Sequence, residues 1–73
     1  MMNEKKFEIR AYGKSELAML YFPHMSGDAA LKKFKVWLKV NPRLRPLLNV
    51  NGQTYTPKQV RQIVEEVGEP FEL

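Results

Sequence analysis

The sequence predicts a mainly α domain: three helices with a small β-hairpin or extended N-terminal element. Three observations predict it. Ala30, Leu31, Phe34, Trp37 and Leu38 fall within one arc when the chain is wound at about 100° per residue. Val60, Ile63, Val64 and Val67 repeat at helical spacing behind a Thr56-Pro57 start. Pro23, Pro42, Pro46 and Pro70 interrupt the chain, so each helix must be short.

Residues 1–6 are polar for the most part and are expected to form a flexible N-terminus. Phe7, Ile9 and Ala11 alternate with Glu8, Arg10 and Tyr12, which predicts a strand or extended lead-in with one buried face. Ser15 is the expected N-cap of a first helix over residues 16–21, with Glu16 in its first turn. Leu17, Leu20 and Tyr21 share a stripe on that helix, and Ala18 leaves room for a neighbouring backbone. Pro23 ends it, because proline disfavours helical geometry in the residue before it.

Ser26 and Asp28 open a second helix that runs to Lys39 or Val40, where Asn41-Pro42 stops it. Residues 47–50 are expected to form a strand, and Asn51-Gly52 a type I′ turn returning into residues 53–55. Thr56, Pro57 and Gln59 form a capping-box start for the third helix. Gly68 suits its C-terminal cap, and Pro70 prevents continuation. One compact domain is therefore expected over residues 7–70, with a tail at 71–73 and no internal repeat.

Composition limits the function classes. The chain has 73 residues, and a domain of that size buries only roughly 60% of its unfolded surface, so its stability is marginal. It contains no cysteine, which removes disulfides and thiolate metal sites. No apolar run approaches the ~20 residues of a membrane span. A cytoplasmic location without membrane contact is expected. His24 is the single histidine and falls in the turn between the first two helices, so no metal or other cofactor is expected. Ser15 and Ser26 lack a nucleophile-elbow setting, and the four glycines are scattered rather than gathered in a phosphate loop. The Glu65-Glu66 pair reads as a solvated face, because adjacent helical residues point in different directions. The expectation is a protein that is not an enzyme.

The net charge is +4, which favours anionic partners. Lys32, Lys35 and Lys39 occupy the outer arc of the second helix, with Lys33 at its edge. Such lysines can simply solvate a helix. A sharper reading comes from the first two helices together, which are arranged like a helix-turn-helix with a turn about three residues longer than usual. The second helix would then face the groove of duplex DNA. Lys32, Lys33, Lys35 and Lys39 would meet phosphates, and Arg43 and Arg45 would extend the positive surface. Val36 lies in the basic arc, where the core does not require it, and would touch a thymine methyl or another protein. The turn at Asn51-Gly52 would serve as a wing, with Gln53 and Thr54 as polar contacts. The helix carries no Arg, Asn or Gln before Asn41, which argues against strong base-specific reading. The competing expectation is a protein-interaction module, including a homodimer, using Met19, Phe22 and Met25 as an adaptable surface.

The stretches IRAYGKSELAMLYFP, FKVWLKVNPRL and YTPKQVRQIVEEVGEP, in that order, resemble a family of short uncharacterised Bacteroides proteins known as a domain of unknown function. The resemblance covers about residues 7–70. It implies a compact standalone module and carries no catalytic residue or cofactor. Lys14-Ser15-Glu16-Leu17-Ala18 also resembles the opening of excisionase-like winged helix-turn-helix domains, which implies an association with DNA.

Overall fold

The computed structural model describes residues 7–70. The N-terminus expected to be flexible at 1–6 and the tail at 71–73 lie outside the described residues. The element order is β1 (Tyr12–Gly13), α1 (Lys14–Tyr21), α2 (Gly27–Val40), a 3-10 helix (Arg45–Asn49), β2 (Thr54–Tyr55) and α3 (Pro57–Val67). The architecture is three helices with a two-stranded antiparallel sheet, as the sequence predicts.

α1 begins earlier than expected. Gly13 rather than Ser15 is its N-cap, and the Glu16 carboxylate accepts the Gly13 N–H at 3.0 Å. The β1 strand runs directly into the helix, so the first free N–H falls at Gly13 and a glutamate three residues on can reach it. α2 starts as predicted: Ser26 Oγ accepts the Ala29 N–H at 3.3 Å. α3 carries the full reciprocal cap. Thr56 Oγ1 accepts from Gln59 N at 3.2 Å, and Gln59 Oε1 accepts from Thr56 N at 2.9 Å.

The predicted hairpin is not the sheet that forms. Residues 45–49 make a 3-10 helix with Pro46 in its first turn, not a strand. Its buried side chain, Leu47, follows the buried Leu44 at its N-cap by three residues, the period of a 3-10 helix. Gly52 has φ +90°, but Asn51 does not have a positive φ, so the turn is not type I′. β2 pairs instead with β1, in the register Tyr12↔Tyr55 and Gly13↔Thr54. The extended N-terminal element is thus the β partner. Lys14 reinforces the junction: its backbone N–H donates to Gln53 O at 2.8 Å, and its Nζ donates to Val50 O at 2.6 Å.

The lead-in keeps only Phe7 of the predicted buried face and adds Tyr12 from the other. Phe7 and Tyr12 are buried and their rings stack at 5.2 Å, whereas Ile9 and Ala11 are exposed. The Tyr12 hydroxyl donates to Glu8 O at 2.9 Å, which folds the segment back on itself and breaks the alternation of a strand.

Leu17, Ala18 and Tyr21 from α1 meet Ala30, Phe34 and Leu38 from α2. Leu44 and Leu47 from the 3-10 segment and Tyr55, Val60 and Ile63 from β2 and α3 complete the same core. The Phe34 ring approaches Tyr21, Trp37 and Tyr55 at centroid separations of 5.5, 6.1 and 6.3 Å. Among the described residues, no buried side-chain nitrogen or oxygen lacks a hydrogen bond. No helix among them is long and apolar enough to cross a membrane.

Candidate nucleic-acid interface

The core fixes the rotation of α2. Ala30, Phe34 and Leu38 take its inner side, so Lys32, Lys35 and Lys39, at i, i+3 and i+7, must share the outer one. All three are exposed. Among the described residues, no carboxylate pairs with any of them. The stripe therefore presents uncompensated positive charge over about 10 Å of helix.

Lys33 is exposed too, but it turns towards the interhelical break. Its Nζ stands 5.4 Å from the Phe22 ring centroid in a cation–π contact. Val36 is 53% exposed beside the lysine stripe, as expected for an apolar residue the core does not use.

The connector after α2 is shaped by Asn41. Its backbone carbonyl accepts from Leu44 N and Arg45 N, each at 2.9 Å, and its Oδ1 accepts from Arg43 N at 2.9 Å. These bonds direct the two arginines to different tasks. Arg45 Nε donates to Lys39 O at 3.1 Å, which anchors its guanidinium at the end of the lysine stripe. Arg43 leans towards α3, where Glu66 Oε2 lies 3.8 Å from its Nη1. Glu66 also accepts from Asn41 Nδ2 at 3.2 Å.

Of the seven residues singled out in the sequence, the fold brings Lys32, Lys35, Lys39 and Arg45 into one run and leaves Val36 beside it. Lys33 sits at the turn, and Arg43 is partly neutralised by Glu66. That pairing joins α2's end to α3, and no local pattern in the sequence announces it. The wing is a correction. Gln53 and Thr54 are exposed, but Thr54 pairs with Gly13 in the sheet and Gln53 O accepts from Lys14 N, so both are tied to the N-terminal element and not to a free hairpin.

His24 is exposed in the turn. Two tyrosines are perturbed. Burial, with a smaller contribution from nearby Glu69, raises the Tyr21 pKa far above the ordinary 10.0. Burial also raises that of Tyr55. Tyr21 is committed to the core, its hydroxyl donating to Gly68 O at 2.6 Å.

Comparison with curated proteins and with solved structures finds no significant match. A family model does match: it is described as a domain of unknown function, DUF4248, it spans residues 8–70, and the chain belongs to that family.

Proposed function

We propose that the protein is a non-enzymatic DNA-binding accessory module whose α2 lies against duplex DNA. The observation that carries this reading is the stripe of Lys32, Lys35 and Lys39, exposed, unpaired and continued by Arg45. α1 and α2 pack against each other across the turn at residues 22–26, and a helix-turn-helix use of that pair would set α2 as the groove-facing element. The lysines supply phosphate contacts, and phosphate contacts are independent of sequence. With no Arg, Asn or Gln on the outer face of α2, binding is weakly selective among sequences.

The test is a titration of isotopically labelled protein with a short duplex, followed by backbone amide shifts at several salt concentrations. The shifts should cluster on residues 32–39 and on Arg45. Three neutralised phosphates give a log-affinity against log-salt slope of about −2.7. Replacing Lys35 and Lys39 together by Gln should bring that slope to about −0.9, since one phosphate contact remains. A slope near zero in the parent protein, or no localised shift at low salt, rejects the surface.

A further inference from the structure

We propose that a second face of α2, centred on Val36, docks an acidic amphipathic helix of a protein partner. The inference goes beyond the nucleic-acid reading: the two share Lys32 and Val36, but Lys35 and Lys39 belong to that reading alone and Met25 and Ala29 to this one.

The core accounts for Ala30, Phe34 and Leu38, yet α2 has a second apolar line. Ala29, Val36 and Val40 follow one another at i, i+7 and i+11, and Val36 and Val40 are 53% and 69% exposed. Met25 from the preceding turn extends the line. A shallow groove of about 510 Å³ runs along its first part, with Met25, Ala29 and Val36 as apolar lining; Val40 lies beyond it, in a separate hollow with Trp37, Asn41 and Val67. Lys32 and Lys33 line the same groove, and its one carboxylate, Asp28, lies in the first turn of α2.

That arrangement selects the occupant by charge. The apolar line from Ala29 to Val36, about 10 Å long, accepts two turns of another helix presenting residues at i, i+3, i+4 and i+7. Lysines at its margin require carboxylates along the edges of that helix. A second copy of α2 would bring lysines against lysines. A nucleic acid would satisfy Lys32 and Lys33 and meet Val36 at most with a thymine methyl, leaving Met25 and Ala29 uncovered. An acidic amphipathic helix satisfies both the charge and the apolar line.

The probe is a synthetic peptide of about 18 residues, long enough to hold helical structure, with leucines on one stripe and glutamates flanking them. Its control has the same composition in scrambled order. Each is titrated into labelled full-length protein, and the protein alone is sedimented over a wide concentration range. Amide shifts at Met25, Ala29, Lys32, Lys33 and Val36, with at least about tenfold tighter binding than the scrambled peptide, support the proposal. Val36→Asp should weaken the peptide about tenfold or more, and Val36→Leu should retain it. Val36 is half-exposed, so unchanged amide dispersion in both variants is expected to show the fold intact.

Equal binding by the scrambled peptide overturns the proposal in favour of bare charge attraction. An unchanged affinity in Val36→Asp overturns it as well. Self-association that Val36→Asp abolishes would make a second copy the occupant. Groove shifts caused by duplex DNA but not by the peptide would make this face part of the nucleic-acid surface. Failure of the nucleic-acid reading is read elsewhere, at Lys35, Lys39 and the salt slope.

Discussion

Tyr21 shows how a single side chain ties the chain's beginning to its end. It packs against Phe34 and Trp37 while its hydroxyl donates to Gly68 O, just beyond α3. The fold favours its protonated form, chiefly by burial and secondarily through Glu69. An unfolded tyrosine ionises near its ordinary value, whereas the folded one keeps its proton. Stability from this group is therefore fully present below about pH 10 and is lost as the pH rises beyond it. Tyr55, also raised by burial, acts in the same direction. The urea midpoint should hold steady to about pH 9 and fall above pH 10. Tyr21→Phe should cost about 1 kcal/mol at neutral pH through the lost hydrogen bond. It should also flatten the alkaline fall; an alkaline slope as steep as the parent's would show that Tyr21 is not its source.

The helix ends are local devices, and their contributions are separable. Gly68 closes α3 at φ +88° and ψ 170°, a region open essentially to glycine alone. A Cβ built there meets nothing within 4 Å, so a substitution is resisted by the backbone torsion and not by crowding. Gly68→Ala should cost about 1–3 kcal/mol in denaturant unfolding. Thr56→Ala, at the other end of the same helix, should cost about 1 kcal/mol. The two sites lie at opposite ends of α3, so their effects should add. These caps were legible because each bond joins residues within four positions of one another. The stretch at 47–50 misled because its apolar residues suit a strand as well as a 3-10 helix. Leu44 and Leu47, three apart around Pro46, were the signal for the latter.

At the scale of the molecule, stability rests on Phe34. Its ring approaches α1 through Tyr21 and β2 through Tyr55, so it joins three elements at one fully buried point. Phe34→Ala should cost about 3–5 kcal/mol. A chain of this length has only about 4–11 kcal/mol in total. The variant should show a much lower urea midpoint or no folded baseline at all. A loss below about 1 kcal/mol would mean that the core closes around the missing ring, contrary to its position at the meeting of three elements. The same tight size bears on the surface. Val36 and Val40 remain exposed in a chain with little apolar surface to spare, which is the physical reason for looking to a partner helix at that face.

The sequence by itself determined the three helices, the caps of the second and third, and the outward stripe of Lys32, Lys35 and Lys39. Helical periodicity and capping are written in residues three or four apart, and a filled inner arc leaves lysines only one direction to point. Tertiary structure alone decided which strands pair, because Tyr12 and Tyr55 are distant in the chain and both read locally as strand ends. It also decided the division of labour among the cations. Arg43 meets Glu66 and Lys33 meets the Phe22 ring only because the connector and the turn fold back onto neighbouring elements. Such pairings depend on where separate segments come to rest, and no pattern within a single segment encodes that.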